Sequence, residues 1–197
     1  MGRTGLFDLE RHFAFYGAYH SNPVNILIHT FFVWPLFFTA AVLLHFTPSL
    51  YSFPSGISEH GLELNFGFVL TLMYAVFYVC LDKKAGPLAA LLCFLCWVGA
   101  SFLAGGLGFS RSWKLVLAAQ LFCWTGQFIG HGIFEKRAPA LSDNFVQALL
   151  MGPYFVLLEL LQSAFGYEPY PGFHASVQKQ IEADIKEWKA KNQEKLR

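Results

Sequence analysis

The chain has 197 residues, of which 55% are hydrophobic and 14% charged, with a formal net charge of +1. A soluble domain carries about 45–50% apolar and about 25% charged residues, and nucleic-acid binding needs a clustered basic face. Soluble enzymes, disordered tails, collagen-like fibres and nucleic-acid binders are therefore excluded.

The apolar surplus is gathered into runs. No Asp, Glu, Lys or Arg occurs between Arg11 and Glu59, or within Leu64–Leu81, Ala85–Ser110 and Leu115–Phe134. Runs of about 18–20 apolar residues cross a ~30 Å hydrocarbon core. The expected fold class is all-α: a polytopic membrane helix bundle of four to five hydrophobic segments with an interfacial N-terminal helix.

In chain order, Met1–Ser21 reads as a short amphipathic helix at the membrane surface, with Phe7, Phe13, Phe15, Tyr16 and Tyr19 as an aromatic belt. Asn22-Pro23 ends it and starts a new helix, since Asn caps well and Pro suits the first helical position. That helix runs to about Phe46 and carries Pro35. Thr47–Glu63, with Pro48, Pro54 and Gly56, is a loop. Leu64–Leu81, Gly86–Phe109 and Trp113–Phe134 are the next crossings, the third of the four helices ending at Gly105-Gly106-Leu107-Gly108. Phe145–Phe165 is apolar enough for a fifth, but Gly152-Pro153 interrupts it and Glu159 lies late in it. It is expected to be re-entrant or packed at the cytosolic interface. One integral-membrane catalytic domain over 1–174 and a charged amphipathic tail over 175–197 are expected.

Basic residues near segment ends set orientation. The 47–63 loop has no Lys or Arg, whereas Lys83, Lys84, Lys136, Arg137, Arg3 and Arg11 gather on the other side. The loop is therefore expected to be lumenal and the basic ends cytosolic, with Arg111 and Lys114 as exceptions. Cys80, Cys93, Cys96 and Cys123 lie in apolar runs, where free Cys acts as a small hydrophobe.

This topology sorts the histidines. His45 and His60 fall at or beyond the lumenal end, and His12 and His174 read as interfacial residues. His29 lies about 9 Å into its helix at 1.5 Å per residue. His131 lies at a similar depth in the fourth helix, and His20 sits before the turn that folds back over the helix start. The three can converge. Imidazole is the commonest metal ligand and suits Fe, Zn, Cu and Ni, and ionisable groups inside a membrane segment mark functional sites. Gln127, His131 and Glu135 are spaced i, i+4, i+8 on one face. Glu135 has three open roles: ligand, acceptor for the other N–H of a ligating His, or salt-bridge partner of Lys136 or Arg137. Gly130 and Gly132 leave room for a close approach, and Arg137 can hold a carboxylate bidentately. No histidine box, His-Glu-x-x-His motif, nucleophile elbow or P-loop is present.

Two blocks carry a resemblance: Phe15-Tyr16-x-x-Tyr19-His20-x-Asn22-Pro23-x-Asn25-x-x-Ile28-His29, and Gln127-Phe128-x-Gly130-His131-Gly132-x-Phe134-Glu135-x-Arg137-x-Pro139-Ala140-Leu141 followed by Asp143-Asn144. Over about residues 5–165 the sequence resembles the membrane-bound 2-hydroxy fatty acid dioxygenases. The resemblance implies Fe2+-dependent α-oxidation at the endoplasmic reticulum, converting a long-chain 2-hydroxy fatty acid and molecular oxygen to a fatty acid one carbon shorter. It makes His20, His29 and His131 the candidate iron ligands, with Glu135 or water left to fill the coordination. Gln127 and Glu135 become the candidate catalytic side chains, and Arg137 and Asn25 the candidate substrate-binding ones. The competing readings are a non-enzymatic lipid-binding or assembly protein with structural histidines, and a zinc-dependent lipid hydrolase.

Overall fold

The structure, a computed structural model, describes residues 5–51, 62–142 and 145–195. Pro54, Gly56 and His60 of the expected loop and Asp143-Asn144 of the second block lie outside the described residues. Seven α-helices and two short helical turns form the described chain, whose only β pairing is a single bridge between Tyr51 and Leu64.

α1 (Leu9–Tyr19) is capped by Asp8, which accepts from the Arg11 N–H at 3.1 Å. α2 (Pro23–Leu44) begins where the Asn22-Pro23 pair predicts. Asn22 Oδ1 accepts from the Val24 N–H at 2.9 Å, and Pro23 takes the position whose missing N–H costs nothing. Its 22 residues span about 33 Å. α3 (Phe66–Leu81) is capped by Asn65 and ends at Asp82. α4 (Gly86–Leu107) starts so close to α3 that a Cβ on Gly86 would overlap the Tyr78 carbonyl oxygen.

The glycine run closing α4 acts later than its first members suggest. Gly105 and Gly106 stay helical, and the break falls at Gly108, whose φ of 70° is open to glycine. α5 (Phe109–Ile129) therefore takes Arg111 and Lys114 into its first turns. It continues into a π-helical turn, Gly130–Glu135, stopped by Lys136 at φ 56°. A 3-10 turn (Ala140–Ser142), α6 (Phe145–Phe165) and α7 (Phe173–Lys195) complete the chain.

α2 is the hub, packing on α4, α5 and α6, while α3 lies along α4. α1 and α7 pair and cover α6. α6 passes through Gly152-Pro153 without reversing, so it is not re-entrant. Met151 and Pro153 through Leu158 are all buried, as in a helix covered by protein on every side. Three helices are long and apolar enough to cross a membrane: Pro23–Leu44, Gly86–Leu107 and Ala148–Phe165, with Phe66–Leu81 shorter. α5 matches them in length but carries Arg111, Lys114, Gln120 and Gln127 and falls outside that set.

Two expectations at the chain ends are corrected. Phe13, Tyr16 and Tyr19 form no membrane belt, because α6 and α7 cover them: Phe13 packs edge-on to Phe155 at 5.4 Å and against Phe173 at 5.7 Å. The division expected at 174/175 falls inside α7, whose Phe173 and Val177 belong to the main core. A Cβ on Gly17 would overlap Ile181, so α1 needs glycine where α7 crosses it. Glu10 accepts hydrogen bonds from Ser176, Tyr170 and Gln180, fixing the start of α7 to α1.

Candidate metal centre

The ends of α1, α2 and α5 bring three imidazoles together. His20 follows the last residue of α1, His29 lies in the second turn of α2, and His131 is in the π-helical turn after α5. The rings stand edge to face, with centroid separations of 4.3 Å (His20–His29), 4.8 Å (His20–His131) and 4.9 Å (His29–His131). One nitrogen from each lies within 4.8 Å of the others. All three are buried, at 7%, 5% and 4% exposure.

The same local device orients two of them. His20 Nδ1 donates to the Tyr16 carbonyl and His29 Nδ1 to the Asn25 carbonyl, each at 2.9 Å and each four residues back. This leaves Nε2 as the lone-pair nitrogen of both rings. His20 Nε2 and His131 Nδ1 are buried without a hydrogen-bond partner among the described residues. Burial, then the adjacent His29 and His131 rings, hold the His20 imidazole well below its usual pKa. A neutral ring is what metal ligation requires. Three nitrogens spaced evenly at ~2.1 Å from one ion lie about 3.6 Å apart or closer, so one ion fits after each ring moves inward by less than about 1 Å. The donor set fits a metal.

Glu135 bonds the α1–α2 turn in this structure. Oε1 accepts from the Ser21 N–H at 3.0 Å and the Ser21 hydroxyl at 2.6 Å. Oε2 accepts from the Asn22 N–H at 3.0 Å and Asn25 Nδ2 at 3.1 Å. The carboxylate thus closes the α1–α2 turn and faces the positive end of α2, outside the histidine cluster. The α-helical stripe Gln127–His131–Glu135 is interrupted by the π-helical turn, whose wider repeat redirects side chains beyond His131.

The candidate substrate contacts Asn25 and Arg137 have partners within the protein. Asn25 is fully buried, donating to the Tyr19 carbonyl at 3.3 Å and to Glu135. A Cβ on Gly130 would overlap Asn25 Oδ1, so this glycine lets the π-helical turn lie against α2. Arg137 turns toward α7: it donates to the Ala18 carbonyl at 2.7 Å and pairs with Asp184 at 3.0 Å. Its guanidinium stacks over Tyr19 at 3.8 Å. These contacts use Nη1 and the ring face of the guanidinium, while Nε is buried without a partner among the described residues. His12 bonds the Leu6 carbonyl at 2.9 Å, His174 meets Gln162, and neither joins the cluster.

The histidines line the end of a cavity of about 330 Å³. Its walls are two matched stripes, His29, Val33, Leu36, Phe37 and Ala40 on α2, and Gln120, Trp124, Gln127 and Phe128 on α5 with His131 in the π-helical turn that continues it. Leu70 and Tyr74 of α3 and Leu149, Gly152 and Pro153 of α6 add to it, and Phe15 and Tyr16 of α1 line it beside His20. From His29 to Ala40 the slot follows α2 for about 16 Å at 1.5 Å per residue. Of the sequence candidates, Gln127 lines this slot, whereas Glu135, Arg137 and Asn25 do not. The i, i+4, i+7, i+8, i+11 spacing of both stripes was the signal in the sequence that could have located it.

Residues 6–164 match the family model described as 2-hydroxy-palmitic acid dioxygenase Mpo1-like. The chain is 36% identical over 157 residues, covering 80% of it and 82% of the relative, to the 2-hydroxy-palmitic acid dioxygenase MPO1 of Saccharomyces cerevisiae. No solved structure matches. The fold-wide match spans both histidine-bearing blocks and the slot between them, and the chain belongs to the Mpo1-like 2-hydroxy-palmitic acid dioxygenase family.

Proposed function

We propose that the protein is an Fe2+-dependent dioxygenase that shortens long-chain 2-hydroxy fatty acids by one carbon at the endoplasmic reticulum membrane, with its site near the cytosolic face. The observation that carries this reading is the buried triad of His20, His29 and His131 at the end of an apolar slot. The relative's name supplies the substrate class and the use of oxygen. Iron held by the triad supplies open coordination positions and redox chemistry toward oxygen and a chelating 2-hydroxy carboxylate. The Tyr16 and Asn25 carbonyls fix the His20 and His29 tautomers and ring directions. Glu135 holds the His20–His29 turn against the element that carries His131. The stripes on α2 and α5 receive the alkyl chain and exclude water from the histidine end.

Purified full-length protein given 2-hydroxypalmitic acid should consume oxygen and release a fatty acid one carbon shorter. Bound zinc without oxygen uptake would instead indicate a lipid hydrolase, and neither metal nor turnover a lipid-binding protein. Orientation has its own check: a glycosylation acceptor inserted near Ser55 should be modified, and one near Lys84 should not.

A further inference from the structure

Hydrogen-bond bookkeeping along the slot singles out two residues. Each polar side chain on its wall, the histidines aside, either has a partner or lacks one. Tyr74 donates to the Leu149 carbonyl at 3.1 Å, and Trp124 Nε1 donates to Gln120 Oε1 at 3.0 Å. Gln120 Nε2 donates in turn to Thr39 Oγ1 at 2.9 Å and the Leu36 carbonyl at 3.1 Å. Gln127 Nε2 and the Tyr16 hydroxyl are both buried with no partner among the described residues. Buried polar groups are nearly always satisfied, so these two await a partner that the described residues do not provide.

Both lie beside the triad. Gln127 is one helical turn before His131 on α5, and the Tyr16 ring stacks on His20 with centroids 3.9 Å apart. Both unpartnered groups are hydrogen-bond donors, and an ionised carboxylate is acceptor-only. No Lys or Arg lines the slot among the described residues, and Arg137 lies outside its lining, with Nη1 bound to Asp184 and the Ala18 carbonyl. We infer that Gln127 and Tyr16 form a neutral two-donor cradle that positions the acid head group of the substrate at the histidine end. This rests on the function proposed above. It moves head-group recognition from the cationic Arg137 to uncharged donors, and it assigns the site a free acid rather than an ester.

The test is equilibrium binding without oxygen, using full-length iron-loaded protein, 2-hydroxypalmitic acid and its methyl ester. Hydrogen bonds to an ionised acceptor are roughly twice as strong as neutral ones. Gln127→Leu and Tyr16→Phe should therefore each weaken acid binding about tenfold and ester binding only about two- to threefold, with wild-type iron content. Variants that bind the acid as wild type does would overturn the inference, as would equal losses for acid and ester or loss of iron, the marks of a packing defect. If wild type binds the acid and the variants match it, only this inference falls. If wild type itself takes up no acid, the proposed function falls and takes the inference with it.

Discussion

Two buried polar clusters sit in the same protein and differ in one respect. At the end of α3, Asp82 is 7% exposed, the same as His20. Its Oδ2 accepts from the Tyr154 and Tyr167 hydroxyls, each at 2.8 Å, and its Oδ1 from the Lys84 N–H at 2.8 Å. The Asp82 cluster is satisfied and joins α3, α6 and the segment before α7. The histidine cluster is left open, with His20 Nε2, His131 Nδ1, Gln127 Nε2 and the Tyr16 hydroxyl all buried and unpartnered. Burial alone does not separate a strut from a site. What marks the site is that four unmade hydrogen bonds gather at the end of one cavity.

The largest expected effect breaks this comparison from both sides. His20→Ala, His29→Ala and His131→Ala should each abolish oxygen uptake and lower bound iron with a smaller fall in melting temperature than Asp82→Ala, because His20 and His29 each give the fold only one bond, to the carbonyl four residues back, and His20 Nε2 and His131 Nδ1 give it none. Asp82→Ala should do the reverse. It leaves the buried Tyr154 hydroxyl without its carboxylate partner, at about 1–3 kcal/mol, and takes one partner from the half-buried Tyr167 hydroxyl, so it should lower the melting temperature while the folded fraction keeps its iron. Melting curves and metal analysis on the same four preparations check both halves. A histidine variant with full activity would remove that residue from the metal site.

Glu135 lies between the two kinds of cluster: its bonds are all structural, yet they hold the histidine-bearing elements together. Removing a group that orients a ligand typically costs about 10–100-fold in metal affinity. Glu135→Ala should fall in that range, and Glu135→Gln, which keeps one acceptor oxygen, should lose less. Iron titration separates the cases, and complete loss in Glu135→Gln would make the carboxylate a direct ligand. A smaller effect is expected from Gly130→Ala. The added methyl meets Asn25 Oδ1, and overpacking a filled site costs about 1–3 kcal/mol, seen as a lower melting temperature with weakened iron binding.

The smallest effect concerns α7. Hydrogen bonds from Ser176 and then Tyr170 lower the Glu10 pKa. Because the folded value is the lower one, this docking contribution is present above the usual carboxylate pKa and is lost as pH falls through the folded value. Hydrogen exchange in the first turns of α7 should quicken on acidification below about pH 4, and Glu10→Gln should flatten that response. Exchange that is unchanged by pH would detach Glu10 from α7.

Much of the framework was legible because it is local. Asn22-Pro23 and Gly86-Pro87 start helices for reasons contained in those pairs, and polar residues inside apolar runs located His20, His29 and His131. What stayed hidden depends on contacts distant in sequence or on a change of helical period. The i, i+4, i+8 rule could not place Glu135, because the π-helical turn breaks its period before that residue. Arg137 looked free to bind substrate because its partner, Asp184, lies in a tail that reads as solvated. The same tail supplies Val177 and Ile181 to the packing around α1 and α6. Tyr16 carried no metal-site signal of its own, and its position one turn before His20 became informative only once its hydroxyl proved to be unpartnered.

The central claim is that three histidines from separate parts of the chain hold one iron for chemistry on a lipid acid. The most direct measurement is metal content by mass spectrometry in purified wild-type and His29→Ala protein, alongside oxygen uptake with 2-hydroxypalmitic acid. Equimolar iron with oxygen uptake in wild type, and loss of both in a folded His29→Ala variant, is the predicted result. Iron retained by folded His29→Ala protein, or wild-type protein consuming oxygen without bound iron, would contradict it.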